Sequence, residues 1–332
     1  MSSQTRRPRG RLLFYGIAVG VLYGALSRAF FGYHRFEGAY EVMSFAFLFL
    51  VPAVLGFLAV YLGEREGPPW RWWLRIVVPW VPALLSLAGA LALAWEGLIC
   101  VVLWVPLFML LSSLGGLLAG LVRRLGRPRQ GSHPLVLAFA LVLPFAVSPL
   151  EQRLPRPQER RVVHTAITID APVATVWKNI ERVPAIEPAE HRFSLFHAIG
   201  FPRPVAATLA GEGVGAVRHA TFEHGVLFVE TITDWRPGQR LAFSIRADTA
   251  HLPLTTLDEH VTVGGPYFDV LEGVYEIEPV APGRVILHLA STHRLSTRVN
   301  AYSGLWTDFI MRDVQEYILE IVKRRCEASF AG

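Results

Sequence analysis

Long runs of apolar residues fill the first half of the chain and are separated by short polar segments. Five runs can be drawn, over residues 12–33, 42–62, 76–95, 97–122 and 134–150. A helix needs about 20 apolar residues to cross a hydrocarbon core, so four runs are long enough and the fifth is marginal. We therefore expect an α-helical membrane region of about five transmembrane helices over residues 1–150.

The pattern after residue 150 changes to short alternations of apolar and polar positions. Such alternation is typical of strands with one buried face, and Gly- and Pro-containing connectors between the stretches suit hairpin turns. From residue 215 onward the predicted strands are 217–223, 226–234, 240–247, 268–278 and 284–293. The less regular stretch 248–267 could hold a further strand or lie over the mouth of a pocket. Over residues 300–327 apolar positions recur every three or four residues, which predicts a long amphipathic helix.

Residues 161–181 predict a strand that turns directly into a helix. Alternate positions are apolar up to Ile169, and Asp170 then stands two residues before Pro172, in the position of a helix N-cap. Apolar residues follow at helical spacing, at Val173, Val176, Trp177 and Ile180.

This turn resembles the opening of the START-related helix-grip superfamily, the SRPBCC group of polyketide cyclases, dehydrases and lipid-transport proteins. The similarity lies in Ala171, Pro172, Val176 and Trp177, although one extra residue separates the proline from the Val-Trp pair. The resemblance covers roughly the second half of the chain. It implies an α+β helix-grip domain over residues 161–328, in which an antiparallel sheet wraps around the long C-terminal helix and encloses a mostly apolar cavity. A stiff linker rich in Pro and Arg, residues 151–160, would join the two domains.

Arginine counts predict the orientation of the membrane region, because short cytoplasmic loops are enriched in basic residues. Eleven arginines lie before the first run and in the second and fourth loops, whereas the first loop has only Arg35 and the third has none. The N-terminus should therefore be cytoplasmic, and five crossings would place the α+β domain on the outer side. Arg153, Arg156, Arg160 and Arg161 directly after the fifth run leave an alternative open. If that run does not cross, the domain is cytoplasmic.

Glycines repeat every four residues in two apolar runs, at Gly16, Gly20 and Gly24 and at Gly116 and Gly120. This spacing would let membrane helices approach closely, although glycine is also simply frequent in such helices.

Arg28 is the one charged residue within an apolar run, and it lies near the C-terminal end of that run. Because a proton or ion relay needs ionisable groups within the bilayer, we expect an anchor and not a transporter.

The positive charge of the chain belongs to its first half, which has 13 arginines and five acids, against 19 basic and 22 acidic residues after position 150. These arginines lie in loops between apolar runs and not on one folded face, so we expect no nucleic-acid binding. Two isolated cysteines, Cys100 and Cys326, predict neither a disulfide framework nor a structural zinc site. The nine histidines of the second half form no compact metal-binding pattern, and no cofactor is expected.

Three polar residues are candidates for general acid–base chemistry. Glu230 shares a predicted strand face with apolar neighbours, where burial would raise its pKa. His288 and Tyr275 lie on similar faces of later strands, so the three side chains could meet at one cavity. The alternative is that they hydrogen-bond to each other or to a ligand, or that the faces are reversed.

The expected ligand contacts are aromatic and polar side chains of the predicted inner faces and helices, namely Trp177, Phe228, Glu230, Phe243, Tyr275, His288, Trp306 and Phe309. The leading hypothesis is a membrane-anchored domain that binds or transfers a lipid or a polyketide-like hydrophobic molecule. A cyclase- or dehydratase-type enzyme is one alternative. A non-catalytic interaction module, whose cavity is filled by its own side chains, is another.

Overall fold

The computed structural model describes residues 9–65, 69–125, 132–248 and 262–331. The chain divides into two compact units, Met1–Arg156 and Pro157–Gly332. Most of the predicted irregular stretch 248–267, with His251 and His260, lies outside the described residues.

The described part of the first unit is helical. Its helices are α1 (Arg9–Phe31), α2 (Val51–Gly63), α3 (Leu74–Val77), α4 (Trp80–Ala92), α5 (Leu98–Leu125) and α6 (Ser132–Glu151). A π-helical turn, Ala46–Leu50, leads into α2. Within the described ranges, five helical segments are long and apolar enough to cross a membrane: Arg11–Phe31, Ala46–Gly63, Leu74–Ala92, Leu98–Leu125 and Pro134–Glu151. They coincide with the five predicted apolar runs to within a few residues.

Glycines lie where the helices of this unit cross. A Cβ atom on Gly16 would lie 2.6 Å from the carbonyl oxygen of Ala59 in α2, and one on Gly116 would lie 2.2 Å from that of Arg75. The contact between α2 and α5 is closer still, since a Cβ on Gly56 would lie 1.9 Å from the Ser112 carbonyl oxygen. The predicted close approach at glycines is therefore confirmed for these helices.

A buried ion pair joins the end of α2 to α3. The Glu64 carboxylate accepts hydrogen bonds from Nε and Nη2 of Arg75, at 2.7 and 3.1 Å, and both side chains are less than 5% exposed. The Arg75 guanidinium packs directly against Gly120, because a Cβ atom added there would lie only 2.6 Å from it. Arg28, predicted to be the lone charge of its run, pairs with Glu96 at 2.5 Å.

The described residues of the second unit form a seven-stranded antiparallel sheet and a long C-terminal helix. The strands are β1 (Glu159–Ile169), β2 (Pro204–Ala210), β3 (Val217–Phe222), β4 (Leu227–Arg236), β5 (Arg240–Asp248), β6 (Phe268–Ala281) and β7 (Arg284–Leu295). They are ordered β1-β7-β6-β5-β4-β3-β2. The helices are α7 (Val173–Glu181), α8 (Leu195–Ala198) and α9 (Asn300–Ala331). The predicted order of elements is confirmed, with β2 as an additional strand.

Two local expectations differ from the structure. The predicted strands do not include residues 204–210, which form β2 and pair with β3. Asp170 does not cap α7, which begins after Pro172 without a side-chain cap. The Asp170 carboxylate instead binds Arg284 at 2.5 Å, at the start of β7, because β1 and β7 are paired and bring the two residues together.

The core of this unit lies between the concave face of the sheet and α9. Leu319, Val322 and Cys326 of α9 pack among buried residues of β1, β5, β6 and β7. Gln315 fixes the helix to β1, because its side chain accepts a hydrogen bond from Thr165 and donates one to the Val163 carbonyl, both at 3.0 Å. Burial of this apolar face, more than helix propensity, stabilises the position of α9.

We expect Glu190 to stabilise the second unit in a pH-dependent way. Arg325 of α9 donates two hydrogen bonds to its carboxylate, at 2.6 and 2.7 Å, and these lower the pKa of Glu190 to about 2. Since the folded pKa lies below the unfolded value, the stabilisation is complete above about pH 4.5 and is lost as the pH falls toward 2.

Glu190→Gln should therefore lower the free energy of unfolding by about 1–2 kcal/mol at pH 6, less than the full pKa shift implies because the pair is partly exposed. The difference between variant and wild type, measured by urea unfolding, should shrink at pH 3. A difference that stays constant from pH 6 to pH 3 would show that the pair does not contribute in this way.

Candidate functional site

A cavity lies between the sheet and α9. Its volume is about 120 Å³, which equals the liquid volume of about four water molecules and is comparable to a cavity that holds a benzene-sized ring. Strands β2 to β7, the segments before and after α8, and one face of α9 supply its walls. The helix lines it from Met311 to Val322.

The walls of the cavity are almost entirely apolar. The wall residues from the sheet and the nearby loops include Val183, Ile186, Phe201, Ala220, Phe222, Val226, Phe228, Phe243, Ile245, Phe268, Val270 and Leu289. The polar side chains among the described wall residues are Arg218, Thr221, Glu230, Tyr275, Ser291 and Gln315. Because Gln315 already bonds to β1, the polar groups that characterise the cavity are concentrated around Arg218 and Glu230.

Arg218 and Glu230 form a buried ion pair in the cavity wall. They are register partners on the neighbouring strands β3 and β4, and Nη1 of Arg218 donates a hydrogen bond to the Glu230 carboxylate. Their side chains are 5% and 6% exposed. The guanidinium lies 5.5 Å from the centre of the Phe243 ring and also bonds to the hydroxyl of Tyr275 on β6. Nε of Arg218 is buried and has no hydrogen-bond partner among the described residues.

Burial controls the protonation of this cluster. It raises the pKa of Glu230, an effect that the Arg218 guanidinium partly offsets. Burial alone would lower the pKa of Arg218, but the Glu230 carboxylate and Tyr275 raise it overall, so the guanidinium stays charged. Burial also raises the pKa of Tyr275 to about 12, which keeps the phenol neutral. The cluster therefore offers a cation, its counter-ion and a neutral hydroxyl within an apolar wall.

The structure brings four of the predicted contact residues together. Phe228, Glu230, Phe243 and Tyr275 all line the cavity. They lie on β4, β5 and β6, whose inward positions the alternation of apolar residues had indicated. Of the three acid–base candidates, Glu230 and Tyr275 meet through Arg218.

His288 lies elsewhere. The inward positions of β7 are the odd-numbered ones, such as Leu287 and Leu289, so His288 is on the opposite face. There its Nε2 atom lies 3.0 Å from the Glu278 carboxylate, and the side chain is 41% exposed. The fold therefore does not bring His288 to the cavity that Glu230 and Tyr275 line.

Trp177, Trp306 and Phe309 are not among the described residues that line the cavity. Trp177 packs in the core beside Trp235, with ring centres 5.2 Å apart. Trp306 and Phe309 lie in the turns of α9 before the part that lines the cavity. Phe309 is 51% exposed, and its ring contacts the ring of Phe196. The apolar stripe of α9 is longer than the cavity, so its first turns do not contribute to the wall.

Arg218 and Gln315 were not predicted as site residues. An arginine on a short strand is usually exposed. The only sequence signal for its burial was that Arg218 shares a strand face with Ala220. Its partner Glu230 is on the next strand, so the pair depends on the register between β3 and β4. Gln315 lies within the apolar stripe of α9, and a polar residue in such a stripe is a signal that it bonds to another element.

The residues that the structure describes contain no group of three or more His, Cys, Asp or Glu side chains that could hold a metal ion. The described walls of the cavity enclose an apolar space with one ion pair.

Neither a family model nor a curated protein matches this chain. Solved structures with similarity include a START superfamily protein from Mycobacterium smegmatis, with a TM-score of 0.33 and 11% identity over 50% of this chain and 97% of that one. Norcoclaurine synthase from Thalictrum flavum, in complex with dopamine and hydroxybenzaldehyde, has a TM-score of 0.31 and 12% identity over 50% and 86%. Zhui aromatase/cyclase from Streptomyces sp. R1128 has a TM-score of 0.31 and 16% identity over 50% and 94%. With scores this low, the function of the chain has to be inferred from its own side chains.

Gly273 of β6 makes room for a wall residue of the cavity. A Cβ atom at this position would lie 2.5 Å from Cε2 of Phe243, so Gly273→Ala forces that ring to shift. We expect the substitution to lower the free energy of unfolding by about 1–3 kcal/mol, the usual effect of overpacking. Ser244→Ala, on the face of β5 that points away from the cavity, is the control and should change it by about 0.5 kcal/mol or less. Equal effects of the two substitutions in urea unfolding would contradict the close Gly273–Phe243 contact.

Proposed function

We propose that this protein binds an apolar small molecule, a lipid or a polyketide-like compound, in the cavity beneath α9, and that its helical first unit anchors it in a membrane. The observation that carries the proposal is the apolar cavity itself, whose described walls contain one buried ion pair. Apolar concave sites with a few convergent polar groups are the usual form of small-molecule sites.

The size and lining of the cavity set the expected affinity. A ring compound that buries roughly 250 Å² of apolar surface gains about 6 kcal/mol at 25 cal/mol per Å², before the cost of association. Dissociation constants in the micromolar to millimolar range follow for simple ring compounds. A natural ligand that also satisfies the polar groups would bind more tightly.

The geometry favours binding over acid–base catalysis. The Glu230 carboxylate is already paired with Arg218, and His288 lies on the other face of the sheet. An interaction module with a filled interior is disfavoured as well, since the space under α9 is open.

Membrane anchoring is supported by the five helical segments that are long and apolar enough to cross a bilayer. The distribution of arginines supports a cytoplasmic N-terminus, and with five crossings the ligand-binding unit would lie on the outer side. Reporter fusions at Gln158 test this orientation. We expect activity from a reporter that works outside the cytoplasm and none from a cytoplasmic one; the reverse result would place the unit inside.

The binding test uses the full chain in lipid nanodiscs and fluorobenzene, a one-ring probe that matches the cavity volume and whose bound fraction is followed by fluorine NMR. Ser291 lines the cavity and its neighbour Thr292 points to the opposite face of β7, so Ser291→Phe fills the cavity and Thr292→Phe is the matched control. We expect fluorobenzene bound by wild type in excess of empty nanodiscs, loss of that excess in Ser291→Phe, and its retention in Thr292→Phe. Equal binding of the probe by both variants, each with a normal unfolding transition, would refute the cavity as the site.

A further inference from the structure

One hydrogen-bond donor in the cavity wall lacks a partner. Arg218 belongs to the described wall residues, its side chain is 5% exposed, and its Nε–H has no acceptor among the described residues. Leaving a buried donor of a charged group unsatisfied is unfavourable, and a bound molecule with an acceptor removes that penalty.

Four of the other polar side chains in the described wall are already engaged. Nη1 of Arg218 holds Glu230, the Tyr275 hydroxyl bonds to the same guanidinium, the Thr221 hydroxyl donates to the Ala206 carbonyl, and both ends of the Gln315 amide bond to β1. The stack on Phe243 limits rotation of the guanidinium plane. The free Nε–H is therefore a donor held in a defined orientation.

The charges of the wall restrict what can accept from it. Arg218 and Glu230 are the charged side chains among the described wall residues, and their charges cancel. A ligand carboxylate would leave an uncompensated negative charge beside Glu230. A ligand cation would likewise leave an uncompensated positive charge beside Arg218. In an apolar cavity, an uncompensated charge is strongly disfavoured.

We infer that the ligand carries an uncharged oxygen acceptor, a ketone, ester or similar carbonyl, which accepts a hydrogen bond from Nε of Arg218 while the rest of the molecule fills the apolar space. This inference rests on the proposed function and specifies the chemical class of its ligand. Glu230 then acts as the counter-ion that positions the guanidinium, not as a group that binds the ligand directly.

Three compounds with the same ring test the inference: benzene, acetophenone and benzoate. Each competes with fluorobenzene on the full chain in nanodiscs at pH 7.5, with free concentrations measured by equilibrium dialysis and the signal of Ser291→Phe subtracted as background. We expect acetophenone to bind at least about tenfold more tightly than benzene, as for a hydrogen bond from a charged donor. We expect benzoate to bind more weakly than the ketone.

Arg218→Lys is the matched variant, because lysine keeps a cation for Glu230 but has no Nε–H of the guanidinium. The advantage of the ketone over benzene should fall to about threefold or less in this variant. Equal affinities of the two in the wild type, or tightest binding of benzoate, would overturn the inference and leave the cavity as an apolar site. If none of the three displaces fluorobenzene from the cavity, the proposed function itself fails. The wild-type comparison decides between these results even if the variant does not fold.

Discussion

Arg218→Met is expected to lower the free energy of unfolding of the second unit by about 3–5 kcal/mol, because it leaves the buried Glu230 carboxylate without its counter-ion. Both side chains are almost fully buried, and Glu230 accepts its hydrogen bond from Arg218. An unpaired carboxylate in an apolar cavity must either remain ionised at a high cost or take up a proton. The loss should therefore be smaller at pH 5 than at pH 8, since burial already raises the pKa of Glu230.

The double variant Arg218→Met/Glu230→Leu is the control. Replacing both members of a buried ion pair by apolar residues is often neutral, so it should recover most of the stability that the single variant loses. Urea unfolding of the four proteins gives the coupling energy between the two positions. Additive losses would show that the two side chains do not depend on each other.

Gly56→Val should have a large effect on the first unit. A Cβ atom at this position would lie 1.9 Å from the backbone carbonyl oxygen of Ser112, so α2 and α5 would have to move apart along their contact. No rotamer change can relieve a clash with backbone. We expect a loss of at least about 3 kcal/mol, at or above the upper end of overpacking effects, and poor recovery of folded protein.

Gly89→Ala in α4 is the matched control, since a Cβ atom there meets nothing within 4 Å. Alanine favours a helix over glycine by about 1 kcal/mol, so this variant should be as stable as the wild type or more so. The melting temperatures of Gly56→Val and Gly89→Ala are compared by thermal unfolding of both proteins in one detergent. Similar melting temperatures for Gly56→Val and Gly89→Ala would show that the helices do not cross at Gly56.

The sequence pattern predicted the elements whose periodicity extends over many residues. Helix α9 is 32 residues long, about nine turns, and β4 to β7 alternate clearly enough to give their positions within a few residues. β2 was missed because it is short and alanine-rich and lies between prolines and a glycine cluster, which by themselves indicate loops. Its stability comes from pairing with β3, which a local pattern does not contain.

The site was predicted in part, and the missing part depends on tertiary contacts. Alternation separated the two faces of β4 and β6 and so indicated Glu230 and Tyr275. For β7, both faces carry apolar residues, and only packing against α9 makes the face of Leu287 and Leu289 the inner one. Arg218 could be recognised only through its register with Glu230 on the next strand.

The position of a bound apolar molecule is the most direct test of the cavity as a ligand site. A benzene derivative that carries a diazirine, photolysed with the full chain in nanodiscs and located by mass spectrometry of peptides, reports the residues that touch it. We predict adducts on wall residues such as Phe228 and Met311, and their loss in Ser291→Phe. Adducts confined to the helices of the first unit or to the outer face of the sheet around His288 would contradict the proposal.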